Sequence, residues 1–185
     1  LAPESQDLVV HALSLHWSND PVGQLIQCAR ALRPDGLMMA VLFGGQTLSE
    51  LRAVLAQAES EMRGGLAPRV LPMAEIRDLG GLLPRSGLAL PVADSQSQRV
   101  GYRDLFHLMR DLRDMGEVNA LNDRLRRFTG RGIFLRAASL YGEHFPEGDR
   151  IAATFEMVYL TGWKPHERQQ KPLRPGSAAH SLAEA

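Results

Sequence analysis

What these 185 residues lack bounds them first. There is one cysteine, Cys28. That excludes an internal disulfide and any cysteine-rich zinc site, and fits a reducing compartment. No apolar run reaches the roughly 18 residues that a membrane span needs, and no signal peptide is visible. A cytoplasmic protein without a membrane span is expected. Neither charge is in excess, since Lys+Arg and Asp+Glu each total 21. Such a chain has no long-range pull toward nucleic acid or an anionic lipid surface, and neither partner is expected.

Chemical signatures are missing too. There is no G-x-S-x-G elbow, and Cys28 falls within a predicted helix without an evident base. "HERQQ" (His166 to Gln170) opens like a zincin helix, but Gln170 stands where the second histidine belongs, so no metal is expected. A phosphate or dinucleotide loop needs glycines directly between a strand and a helix, where backbone N–H groups can approach the anion. "FGGQTL" (Phe43 to Leu48) has two glycines in such a place, without that spacing.

What is present reads as α/β. Hydrophobic residues at 44% and charged residues at 23% suit one domain with a sizeable core. "DLVVHALSLHWSND" (Asp7 to Asp20) reads as a buried strand running into a loop. Asn19 or Asp20 can cap a following helix, with Pro21 at its first position. Val22, Leu25, Ile26, Ala29 and Leu32 share one face of it. "RPDG" (Arg33 to Gly36) predicts a turn, and "LMMAVLF" (Leu37 to Phe43) a strand covered on both faces. Strand, helix and strand in this order form one right-handed crossover unit.

Further on, "TLSE" predicts a capping box with Thr47 as cap and Glu50 three residues later. A helix behind it carries Leu48, Leu51, Leu55, Ala58 and Met62. A shorter helix is expected from Met73 to about Arg85, then a strand near Leu88 to Asp94. "YRDLFHLMRDLRDMG" (Tyr102 to Gly116) is amphipathic, and another helix is expected over Ile133 to Phe145. "AATFEMVYLTGW" (Ala152 to Trp163) reads as a final strand. From Pro165 to Ala185 the chain is polar and aperiodic, a tail or partner-binding segment.

His16 and Trp17 are the leading local candidates, because they lie just past the carboxyl end of a strand, where open α/β sheets bind ligands. The alternative is that Trp17 packs the loop and His16 bonds the backbone; both readings stand open. Gly44 and Gly45 occupy the equivalent end of the next strand, where a tight turn alone explains them. The basic run Arg124, Arg126, Arg127 and Arg131 can hold a phosphate, although a solvated helix end is the plainer account.

Together "DLVVHALSLHWSNDP", "RPDG", "FGGQTLSELR", "LMRDLRDMGEVNAL" and "ATFEMVYLTGWKPHERQQKPLRPGSA" resemble the C-terminal portion of class I S-adenosylmethionine-dependent methyltransferases. The nearest likeness is to the bacterial branch of the complex I assembly factor 5 family. More distantly, the chain is similar to the biotin-pathway enzymes that methylate malonyl-carrier protein. The resemblance implies a Rossmann-like sheet of order 3-2-1-4-5-7-6 with the cofactor over strands 1 and 4. This sequence would then hold strands 4, 5, 7 and 6 over residues 1–164, with a helical insertion at about 102–146. The N-terminal, cofactor-binding half, with its glycine loop and ribose-holding acidic residue, is expected to be absent.

The resemblance implies S-adenosylmethionine as cofactor in the full-length protein, with Leu15, His16, Trp17, Asn19, Gly44 and Gly45 as its wall. Phe43 stands on the substrate side, and Tyr102, Met109, Arg113 and Met115 are lid candidates from the insertion. No cofactor binding, and no activity, is expected of the isolated chain. In the assembly-factor family the implied activity is hydroxylation of an arginine on a complex I subunit rather than methylation. The other expectation is a non-enzymatic docking factor that uses its tail. A protein substrate or carrier protein is the expected partner, and the bare edge of the first strand is expected to pair with a second copy or with its own chain.

Overall fold

The computed structural model describes residues 2–170. Its first strand, β1 (Gln6–Ala12), enters a 3-10 turn at Leu15–Trp17 and then α1 (Pro21–Ala31). Asp20 caps α1 as expected, its carboxylate accepting from Gly23 N at 2.8 Å with Pro21 at the first position. α1 returns the chain to β2 (Leu32–Phe43), which lies parallel to β1 with Val9 beside Met38 and Ala12 beside Val41.

α2 (Ser49–Arg63) follows, then two short helices, α3 (Ile76–Gly80) and α4 (Leu82–Arg85). After them come β3 (Ala89–Tyr102), α5 (Leu105–Asp114), α6 (Arg131–His144), the two-residue β4 (Pro146–Glu147) and β5 (Arg150–Trp163). The sheet order is β1-β2-β5-β3, with β5 antiparallel to both neighbours and β4 paired to β5. This is the spatial order expected of strands 4, 5, 7 and 6. The fold is thus mixed α/β, a sheet with flanking helices. Of the predicted tail, residues 171–185 lie outside the described residues.

Three local expectations are corrected. "RPDG" is not a connecting turn: it bulges out of β2, between the pairs Gln6–Leu32 and Leu8–Leu37. Asp35 takes a left-handed φ of 67° there, and the bulge is held by Asp35 N to Lys164 O and Lys164 N to Gly36 O. The capping box does not form either. Thr47 Oγ1 bonds the Glu156 backbone on both sides, and the Glu50 carboxylate takes Thr154 N and Oγ1. Both side chains thus serve β5 rather than α2. Finally, β3 runs eight residues past Asp94, because β5 offers it a partner through Tyr102–Ile151. Pairing outweighs the weak strand preference of "SQSQ".

The core has two parts. On one face of the sheet α1, α3 and α4 cover Met38, Ala40, Leu42, Val158 and Leu160. On the other, α2, α5 and α6 cover the opposite end of β5, packing Leu51, Leu108, Leu140 and Tyr141 around Ala153. The two clusters leave part of the second face open. Leu8 and Val10 of β1 are 51% and 63% exposed, and Met39, Tyr159 and Trp163 beside them are exposed too. Among the described residues, no helix covers this apolar strip.

Candidate functional site

Parallel pairing puts the carboxyl ends of β1 and β2 side by side, and the site is built on that. Leu13 turns the chain with a left-handed φ of 47°, and Ser14 and Leu15 accept backbone bonds from Trp17 and Ser18. Leu15 is buried in the α1-side core and anchors this turn. His16 and Trp17 are thereby directed at the end of β2. The His16 ring centroid lies 5.2 Å from Phe43 and 5.7 Å from Trp17, and Phe43 lies 6.0 Å from Phe155. Four rings span the ends of β1, β2 and the middle of β5. A cavity of about 190 Å³ opens beside them, lined by Leu15, His16 and Phe43 among others.

The residue that sequence reasoning missed is Glu117. Its Oε1 lies 3.2 Å from His16 Nε2 and 3.3 Å from Trp17 Nε1. A carboxylate oxygen accepts, so His16 donates to it from Nε2, and His16 Nδ1 is buried with no hydrogen-bond partner among the described residues. Glu117 is held in place by the end of α5. Gly116 adopts φ 84°, Gly116 N donates to Arg113 O and Glu117 N to Leu112 O. This is the Schellman closure, which requires a left-handed residue that glycine supplies without strain. The signal was legible as "MGE" after an amphipathic helix, but the partner of Glu117, some 100 residues away in sequence, was not.

A second cavity of about 250 Å³ runs from Glu117 between α2, α5 and α6. Leu51, Leu55, Met109, Leu112 and Phe134 form its apolar walls, and Arg69, Arg113 and Asn119 add polar groups. Arg69 is already committed: Nη2 donates to Glu59 Oε1 at 2.5 Å and to Thr129 Oγ1, and the guanidinium sits 5.7 Å from the Phe134 ring centre. Burial pushes the Glu59 carboxyl up, but the Arg69 and Ala67 hydrogen bonds and the charges of Arg69 and Arg63 more than offset it, holding it below its usual range.

The structure sorts the other sequence candidates. Met109 and Arg113 reach the cavity beside Glu117. Met115 is exposed, and Asn19 is exposed ahead of the α1 cap. Tyr102 is core: it packs edge-on to His107 and pairs with Ile151, six residues along β5 from the position facing Phe43, or roughly 20 Å. Gly44 and Gly45 make room for the chain's own carboxylates. A side chain there would meet Glu156 Oε2 and Glu75 Oε1 respectively, each at 2.7 Å. Of the basic run, Arg124 bonds Leu121 O while Arg126 and Arg127 are exposed.

The chain is 43% identical over 183 residues to the mitochondrial arginine-hydroxylase NDUFAF5 of Dictyostelium discoideum, covering 98% of this chain and 42% of that protein. With the human NDUFAF5 identity is 42% over 179 residues, covering 96% and 52%. With the malonyl-[acyl-carrier protein] O-methyltransferase of Laribacter hongkongensis it is 35% over 176 residues, covering 95% and 57%. The chain therefore spans about half the length of the curated relatives it matches. No protein-family model matches it. Among solved structures, a candidate methyltransferase from Bacillus halodurans C-125 aligns with TM-score 0.52 at 13% identity, over 90% of this chain and 73% of that one. The YcgJ protein of Bacillus subtilis gives 0.52 at 11%, over 90% and 67%. No helix among the described residues is long and apolar enough to cross a membrane. The chain is thus similar in sequence to the NDUFAF5 arginine hydroxylases and the malonyl-[acyl-carrier protein] O-methyltransferases over about half of their length, and similar in fold to these two solved structures.

Proposed function

We propose that this chain is the acceptor-side half of a methyltransferase-fold enzyme that modifies a protein-borne group, with the carboxyl ends of β1 and β2 forming one wall of the S-adenosylmethionine crevice. In this reading β1, β2, β5 and β3 are strands 4, 5, 7 and 6 of a seven-stranded sheet, residues 102–146 form the substrate-side insertion, and residues from 165 on form a tail. The observation that carries it is the meeting of His16, Trp17 and Phe43 at adjacent parallel strand ends, where α/β sheets take their ligands.

The residues present fit one wall of such a site. The strand-end cavity of about 190 Å³ falls below the roughly 300 Å³ at which ligand pockets begin. His16, Trp17 and Phe43 would hold the cofactor through their ring faces. Leu15, Gly44 and Gly45 would support the wall from behind, and Asn19 would stand at its rim. Bound there, S-adenosylmethionine supplies an electrophilic methyl group. The chain's own part is positioning and exclusion of water: the ring cluster shields the strand ends, and the Glu117 bridge closes the insertion over them. The half-buried thiol Cys28 suits the reducing cytoplasm expected from the sequence.

Calorimetric titration tests this reading. The full-length protein carrying this sequence should bind S-adenosylmethionine, and Phe43→Ala should weaken that binding about tenfold. The isolated 185-residue chain should show none. Absence of binding by the full-length protein, or micromolar binding by the isolated chain, would overturn the proposal. Arginine hydroxylation is the second reading, favoured by the unneutralised carboxylate of Glu117 in the acceptor cavity.

A further inference from the structure

The polar groups of the insertion cavity are unequal. Arg69 is discharged by Glu59, its ion partner at 2.5 Å, and Arg113 is exposed at the rim, where solvent screens it. Glu117 differs from both. Its side chain is only 18% exposed, and among the described residues no lysine or arginine forms an ion pair with it. Oε1 takes both the His16 and Trp17 donors, while Oε2 has no hydrogen-bond partner among the described residues. That free oxygen can take further donors, and a charged donor would make the stronger, charge-assisted bond there. Around it stand the Trp17 ring and apolar walls from Leu51 and Leu112.

We propose that Glu117 is the specificity residue for the acceptor, receiving the guanidinium of a substrate arginine on its free oxygen. This rests on the acceptor-side reading above. A guanidinium offers several N–H donors in one plane and is attracted to an aromatic face, so Glu117 and Trp17 suit it together. The apolar walls suit its three-methylene stem. A carboxylate acceptor would meet Glu117 as a like charge, and of the two cavity arginines one is already spent on Glu59.

The test uses the full-length protein and two peptides that differ at one residue, a central arginine or its neutral isostere citrulline. Binding is followed by Trp17 fluorescence or calorimetry. The arginine peptide should bind at least fivefold tighter. Glu117→Gln keeps an oxygen for the His16 and Trp17 donors but removes the charge, and it should abolish that preference, with the melting temperature checking that the variant folds. Equal binding of both peptides by the unaltered protein, or a preference that survives in Glu117→Gln, overturns the proposal. So does tighter binding of a malonyl-pantetheine probe than of the arginine peptide, lost on Arg113→Ala. Cofactor binding is measured separately, so failure here leaves the S-adenosylmethionine reading standing.

Discussion

Tyr141 shows how one buried group ties the fold to pH. Its hydroxyl donates to Ala152 O at 2.9 Å in the core between α6 and β5. Burial, reinforced by the nearby charge of Glu50, pushes its pKa well above the usual tyrosine value. The folded state therefore keeps the proton at a pH where the unfolded chain releases it. The contribution to stability is full below about pH 10, the ordinary tyrosine value, and is lost as pH rises through the elevated folded value. Urea unfolding should show stability falling between pH 9 and 11. Tyr141→Phe should flatten that fall, at a cost of about 1 kcal/mol at pH 8 from the missing hydrogen bond. A fall of the same size in the variant would assign it to other groups.

The start of α2 is decided by β5 rather than by its own cap. Leu48 sits at the cap position with a left-handed φ of 55° and no side-chain hydrogen bond. Thr47, fully buried, instead accepts from Glu156 N and donates to Glu156 O. The Glu156 carbonyl also accepts from Gly44 N, so its amide depends more on the threonine. Thr47→Val keeps the shape and strands that amide, which should cost about 1–3 kcal/mol. The distinguishing measurement is hydrogen exchange. Glu156 N–H on β5 should lose protection in the variant, whereas a capping role would instead loosen the first turn of α2.

Across the whole molecule, the uncovered strip on the sheet sets behaviour in solution. Leu8 and Val10 stand beside Leu37 and Met39, and Tyr159 and Trp163 continue the strip across β5. β1 is also an edge, since among the described residues it pairs with β2 alone. Exposed apolar patches and unpaired edges both favour association. The 185-residue chain should therefore self-associate at micromolar concentration in sedimentation velocity. Val10→Lys with Met39→Lys should shift it toward monomer without changing its circular dichroism. A monomeric parent chain would show that the strip is satisfied in some other way.

Local order was legible to the extent that it depended on near neighbours. The periodicity of α1, α5 and α6 and the Asp20–Pro21 start appear where the residues imply them, because a helix face is written in spacing, whereas β2, read as covered on both faces, is open on one of them at Met39. The strand order was legible through resemblance rather than pattern. The misread features share one cause: each answers to partners distant in sequence. Thr47 and Glu50 were taken by β5, β3 was lengthened by β5, and the two glycines turned out to clear space for Glu156 and Glu75.

The sequence by itself determined the α/β alternation, the helix limits near Asp20 and Gly116, and the placing of His16 and Trp17 just beyond a strand end. Only the tertiary structure decided that Glu117 meets them, that Tyr102 is core, and that part of one sheet face is left open. Spacing along a chain encodes contacts within about a turn or a strand, whereas a carboxylate 100 residues away is brought to a histidine only by the packing of helices on a sheet.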